Sequence, residues 1–403
     1  MANVARAPET GAWRRRRGGG GRGGRRRARG AASTRAALGR RDALRGTTTT
    51  IATMTTVRVT EPARAADRPA LCGYFDEFSG GLAPRYAFDT PWNEGFVDAS
   101  AVFVRGVGDY KKAKKAKKAP VLAVTNGPGI AHGYMSALET LSGEAGGARE
   151  VFFYDQRGSG KSKGASSYDL ALYLDELRTV ARELRLVEEG GAHVLAHGYW
   201  GARLATTLAA EVPGFARSVT LVAPTATRRR EVADWRRALE DISKESRDAI
   251  LDYEEDLDPS KRAMNDRGLR EFSERFVSIR GDRGACFNDV LAPRSSDAPR
   301  NAITGGKYFS VAGSLANDVI DLRGLGEKLG KNGVRAVRVI RGERDAVTQS
   351  SAREIVDAIN AESSQGAPFC AYDEIENAGS CAFLDRGDYF FETLNICVEK
   401  ADD

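Results

Sequence analysis

The sequence predicts an α/β protein: a doubly wound, mostly parallel sheet with a helical segment inserted into it. Three observations carry that prediction. Short β-rich runs alternate with helical patterns from about residue 94 onward. Two of the runs, "GAHVLAH" and "ARSVTLVAP", are apolar throughout, as strands covered on both faces must be. The alternation then stops between Thr225 and about Gly333 and resumes after it.

Taken in order, "FVDASAVFVRGV" reads as a pair of strands. "APVLAVTNGPG" is a strand ending in a glycine turn, and "AREVFFYDQRGSG" is another. The next stretch sets Leu170, Tyr173, Leu174, Leu177, Val180, Ala181, Leu184 and Val187 on one face at helical spacing. The two apolar strands follow. "RRREVADWRRALEDISKESRDAILDYEEDL" is charged and helical, and loop-rich text succeeds it. "VRAVRVIRGERD", the helix "SSAREIVDAINAE", "PFCAYDEIENAG" and a helix near Asp388–Glu399 restore the pattern, so the insertion falls after the fifth or sixth strand. The basic run Lys111–Lys118, "KKAKKAKK", reads as a solvated loop, with membrane-surface or partner contact as the alternative. Four segments result: 1–65, a first core part at 70–224, a helical cap at 225–333, and a second core part at 334–403.

The length of 403 residues and an apolar fraction of 41% allow a full-sized core. The net charge of +6 is unevenly spread: residues 1–65 hold sixteen Arg against Glu9, Asp42 and Glu61, which leaves about −7 for the rest. A basic balance located there is no argument that the folded part binds nucleic acid. The Arg/Gly/Ser/Thr-rich start cannot bury enough apolar surface to fold. It fits an organelle transit peptide, plastid ahead of mitochondrion. Two alternatives stay open: an RNA-contacting Arg/Gly arm, or a true start at Met54, which implies a cytoplasmic protein. No apolar run is long enough to span a membrane. Five cysteines without C-x-x-C spacing read as free, mostly buried thiols, and three histidines offer no metal cluster; neither a metal nor a cofactor is expected. "GSGKS" is not a phosphate loop, because Asp155 stands where that loop needs a glycine.

Five stretches in the expected order, over roughly residues 90 to 400, resemble the proline iminopeptidase branch of the α/β-hydrolase fold. "TNGPG" (Thr125–Gly129) is similar to its H-G-G-P-G oxyanion turn, and "FYDQRGSGKS" to F-Y-D-Q-R-G-x-G-x-S. "LAHGYWGARLA" stands for L-L-G-x-S-W-G-G-x-L-A, "YFSVAGSL" for E-F-T-x-x-G-x-L, and "RGERDAVT" for R-G-x-x-D-x-V-T. The resemblance implies a serine aminopeptidase site: a nucleophile on a strained elbow, then a carboxylate, then a histidine, with two backbone amides holding the oxyanion.

Placed on this sequence, that site is depleted. Matching Trp200-Gly201 to the family's Trp-Gly puts Tyr199 at the nucleophile position, and a one-residue shift puts Gly198 there; neither is a serine. A phenol is a poor acyl acceptor without a strong base, so Tyr199 is expected to fill space above the sheet. Asp345 retains the acid, while Ser380 occupies the base position in "NAGS". His132, His193 and His197 are the only histidines and all precede Asp345, so the order Ser–Asp–His is impossible. His132, beside the oxyanion turn, is the expected substitute base; His193 is expected in the core. The glutamates with which the family holds the substrate's amine are replaced by Tyr308 and Ala346. The oxyanion hole, from the amides of Asn126 or Gly127 and Trp200, is expected to survive.

Two functions follow as expectations. The first is a non-catalytic protein with a small-molecule or peptide ligand under the cap, or a protein partner. The second is an active aminopeptidase or esterase with a rearranged site using Asp345 with His132, Tyr199 or Ser380.

Overall fold

The computed structural model describes residues 92–98, 101–143, 147–280, 297–361 and 370–402. The expectations for residues 1–65, and for Cys72 and Cys286, lie outside these. Eight strands form one sheet: β1 (Trp92–Val97), β2 (Val102–Val107), β3 (Val121–Val124), β4 (Val151–Tyr154), β5 (Ala192–His197), β6 (Ala216–Val222), β7 (Ala336–Gly342) and β8 (Cys370–Ile375). Their order is β1-β2-β4-β3-β5-β6-β7-β8. Strand β2 pairs antiparallel with both β1 and β4, and the other five pairings are parallel, the mostly parallel sheet that the sequence predicts.

Alternation along each strand builds two cores. Leu122, Val124, Phe152, Tyr154, Val194 and Ala196 face one of them. Val121, Ala123, Val151, Phe153 and Leu195 face the other. Helices cover both faces: α1 (Tyr110–Lys115), α2 (Leu170–Glu183), α3 (Gly198–Glu211), then α4 (Arg228–Ala238), α5 (Lys244–Asp256), α6 (Arg262–Phe276) and α7 (Asp297–Thr304) in the insertion, and α8 (Leu325–Lys331), α9 (Gln349–Ala361), α10 (Ala382–Asp385) and α11 (Gly387–Asp402). Side-chain caps start several of them: Asp169 accepts from Leu172 N at 2.7 Å for α2, and Thr227 accepts from Arg230 N at 3.0 Å for α4.

Two readings of the sequence need correction. The lysine run is not a loop: Asp109 caps it through Lys111 N at 2.8 Å, and its first part is α1. The closing helix extends past Glu399 to Asp402. Ile320, Leu325 and Leu329, like Ile303 and Leu315 within the insertion, pack into the sheet's own cluster. The insertion itself follows β6.

Helix α4 ties the insertion together through three arginines and joins it to the core through a fourth. Arg228 donates to Tyr308 O (2.8 Å), Arg229 to Asn317 Oδ1 (2.6 Å) and Arg236 to Phe309 O (2.6 Å). Arg230 reaches Ser351 Oγ on α9 at 2.7 Å, and Asp234 accepts from Thr348 N at 3.0 Å.

At the opposite end of the strands, Asp402 closes a buried network. It pairs with Arg149 Nη2 at 2.7 Å and His193 Nε2 at 3.1 Å, and accepts from Ala119 N at 3.2 Å. Ser218 Oγ lies 2.8 Å from His193 Nδ1, so both ring nitrogens are used, and burial lowers the imidazole to about 4.

Glu176, buried on α2, accepts from Arg157 N at 2.8 Å, and burial raises its carboxyl to about 8. The folded chain therefore keeps a proton that the unfolded chain releases. The associated stability is full below the unfolded value near 4.5 and is lost as pH rises through about 8. The expected result is a melting temperature that falls between about pH 6.5 and pH 8.5, with Glu176→Gln flattening most of the slope. An identical slope in the variant would refute this origin.

Candidate active site

The strand–turn–helix at "AHGYWG" places its sharp turn on Gly198. This residue has φ +68°, the left-handed region, and β5 ends just before it. Space also dictates glycine, since a Cβ here would meet Asn126 Cγ at 2.4 Å. Gly201 lets α3 approach β3 closely, its Cβ position standing 3.0 Å from the carbonyl oxygens of Val124 and Thr125. The elbow residue is thus Gly198 and not Tyr199.

Tyr199 is already helical and is buried in the core cluster. Its hydroxyl donates to Asp318 Oδ2 at 2.6 Å, and Arg203 Nε binds the same oxygen at 3.0 Å. Burial, with Asp318 adding to it, pushes the phenol far above its ordinary value. Trp200 is buried as well, with Nε1 donating to Gln156 Oε1 at 2.8 Å. With the turn on Gly198, the amide that follows the elbow belongs to Tyr199, which displaces Trp200 from the oxyanion role.

The other half of the oxyanion turn satisfies itself. Asn126 Oδ1 accepts from Gly127 N at 2.9 Å, and Asn126 N donates to Tyr134 OH at 2.8 Å. The Asn126 carboxamide therefore fills the space over Gly198 and occupies an amide that a tetrahedral intermediate would need.

His132 does not reach the cavity. Its Nδ1 binds Asp155 Oδ1 at 2.7 Å, and its ring lies between Phe103 and Phe153, with centroids 5.8 Å and 5.6 Å away. Its role as substitute base is corrected on this geometry. His197 instead lines the cavity, together with Asn126, Gly127 and Ser380. Asn126 N–H can only donate, so Tyr134 accepts it and donates its own proton to His197 Nδ1 at 3.0 Å. His197 Nε2 then donates to the Ser380 carbonyl at 3.2 Å. That chain fixes a neutral tautomer, and burial lowers the imidazole to about 4. Neither ring nitrogen is free to take a proton from a ligand.

Asp345 ends the strand-to-loop turn after β7. Its Oδ1 accepts from Val347 N at 2.9 Å, and burial raises its carboxyl to about 7. It borders a cleft with Glu343 and Arg344, and its turn packs on the turn that carries Ser380, Arg344 N donating to Ala378 O at 2.9 Å. The acid and base turns therefore lie side by side, with Ser380 where an imidazole would be needed. Tyr308 lines the cavity, its hydroxyl accepting from Arg300 Nη1 at 2.8 Å, and Ala346 is buried in the cap's apolar cluster.

The cavity measures about 210 Å³ and is roofed by Trp235, Phe272, Tyr308 and Phe309. Two buried carboxylates reach it that the sequence reading missed. Glu231 is ion-paired with Arg228, and Glu254 Oε1 accepts from Phe309 N at 2.9 Å. Glu254 carried one faint signal: it stands four residues after Ile250, the other buried position of α5. No metal-ligating group occurs among the described residues.

The family model described as "Alpha/beta hydrolase family" matches residues 129–393. The chain belongs to this family. Within it, the alpha/beta hydrolase chain is 30% identical over 104 residues to a proline iminopeptidase of Chitinophaga pinensis, covering 25% of this chain and 32% of the relative. It is 32% identical over 106 residues to one of Lactiplantibacillus plantarum, covering 26% and 33%. The match spans about a third of the length of these curated relatives. In fold, the crystal structure of VinJ superposes with a TM-score of 0.63 at 22% identity, covering 77% of this chain and 99% of that one. Proline iminopeptidase from Mycobacterium smegmatis follows at 0.60 and 21%, with the same coverage. This alpha/beta hydrolase is thus similar to proline iminopeptidases, as its motifs imply.

Proposed function

We propose that this alpha/beta hydrolase-family chain binds a ligand under its cap without cleaving it. One observation carries the reading: at the elbow, Gly198 offers no side chain and the Asn126 carboxamide stands in the nucleophile's space. The neutral, doubly bonded His197 supports it, because no free imidazole faces the cavity. The ligand is a small molecule or short peptide end with an aromatic or aliphatic body. Trp235, Phe272 and Phe309 form the apolar roof, and Asn126 and Ser380 offer polar groups at the floor.

A fluorophosphonate probe is expected to leave the chain unlabelled, because such probes need an activated hydroxyl. Titration with small aromatic amides and proline peptides is expected to quench Trp235 fluorescence, with the signal absent in Trp235→Phe. Stoichiometric labelling by the probe at any serine would overturn the proposal, and so would product release from the titrated peptides.

A further inference from the structure

We propose that the Lys111–Lys118 run is a docking surface for anionic lipid bilayers. Its repeat of two lysines and one alanine explains its shape. Ala113 and Ala119 are buried, while Lys111, Lys112, Lys114, Lys115 and Lys117 are exposed. Asp109 spends its carboxylate capping Lys111 N and Lys112 N, which fixes the segment on the core.

The lysines here differ from most of the molecule's others. Lys161, Lys244, Lys261, Lys328 and Lys331 each stand against a carboxylate. In the run only Lys118 has one, Asp402 at 3.4 Å; the five exposed ammonium groups form no ion pair among the described residues. Glu189 lies 3.5 Å from Tyr110 OH, a single acid against five charges.

The chemistry favours a headgroup surface over nucleic acid. The run holds no arginine to grip a phosphate with two bonds and no exposed aromatic ring on which a base would stack. Lysines that act as point charges suit a field of phosphates and carboxylates. Placement is favourable too. The run enters β3 at Val121, whereas the cavity opens beyond the other end of that strand, at Asn126. A chain resting on a bilayer by this face keeps its cavity turned to the solvent.

Sedimentation of the full chain with phosphatidylcholine vesicles, with and without about one quarter phosphatidylserine, tests this. Each lysine near an anionic leaflet strengthens partition about fivefold, so Lys111→Gln with Lys112→Gln is expected to weaken it about 25-fold. The corresponding Lys→Arg pair is expected to retain binding, which separates charge from folding. Because the remaining sequence is unchanged, the difference isolates this face from any effect of the Arg-rich start. Equal partition of wild type and the Gln pair overturns the proposal. Failure of the wild type to bind the anionic vesicles does the same. Lysine-dependent binding of single-stranded RNA in place of vesicles overturns it in favour of a nucleic-acid surface.

Discussion

The purified chain is expected to hydrolyse a prolyl-arylamide roughly 10^6-fold more slowly than a hydrolase with a complete serine–histidine–aspartate set, the loss seen when such a set loses its serine or histidine. The reason is structural at each position. Gly198 has no nucleophile, Asn126 holds the Gly127 amide, and His197 has both nitrogens engaged. Gly198→Ser alone is expected to stay silent. Its Cβ would meet the Asn126 carboxamide at 2.4 Å, and no base would face it. The triple variant Asn126→Gly, Gly198→Ser, Ser380→His removes the obstruction and supplies hydroxyl and imidazole along one cavity. It is expected to raise hydrolysis of an activated ester by about 10^2-fold or more over the wild type. Steady-state release of a nitrophenolate measures both. Wild-type turnover at the rate of a complete hydrolase, abolished by Asp345→Asn, would show that the site works by a route this geometry does not contain.

Asp402→Ala is expected to lower stability by about 3–5 kcal/mol, the cost of breaking a buried pair from one side. Arg149 is 1% exposed and would be left without its carboxylate, and Ala119 N and His193 would lose an acceptor. Burial works against the Asp402 charge, yet the bonds from His193 and Arg149 outweigh it and hold the carboxyl far below its usual range. Its contribution is therefore present above the unfolded value near 3.8 and is lost only as pH falls through the lower folded value. Glu327→Ala makes the comparison: its partner Lys331 is 72% exposed, and such a surface pair contributes little to stability. Urea midpoints at neutral pH read both changes. An Asp402→Ala loss no larger than that of Glu327→Ala would sink the account of this network.

The sheet was legible because its strands are short, apolar and separated by turn residues, and because five motifs occur in one order. "GAHVLAH" and "ARSVTLVAP" became β5 and β6, and the interruption after β6 became the helices that roof the cavity. The elbow was harder. Matching the letters of Trp200-Gly201 points to Tyr199, but the backbone reverses at Gly198, and φ cannot be read from an alignment of side chains. His197 offered no base by its order in the chain, yet its place at the end of β5 brings it beside Ser380, 183 residues away in sequence. Glu254 looked like one more surface acid in "DYEEDL", since nothing local distinguishes a carboxylate destined to hold the Phe309 amide. In each case the missing information was long-range contact. The lysine run failed for the opposite reason: a local cap, Asp109, outweighed its charge repulsion and made a helix.

The arginine fastenings of α4 bear on how fast anything exchanges with the interior. The bonds of Arg228, Arg229 and Arg236 to residues 308, 317 and 309 knit the roof into one piece, and those of Arg230 and Asp234 to Ser351 and Thr348 hold that piece to the core. The proposed ligand would pass the exposed Arg262, Asp266 and Arg270 side chains at the cavity's margin. Under a roof held as one piece its entry and its release would both be slow, and the chain would then behave less like a turnstile than like a store.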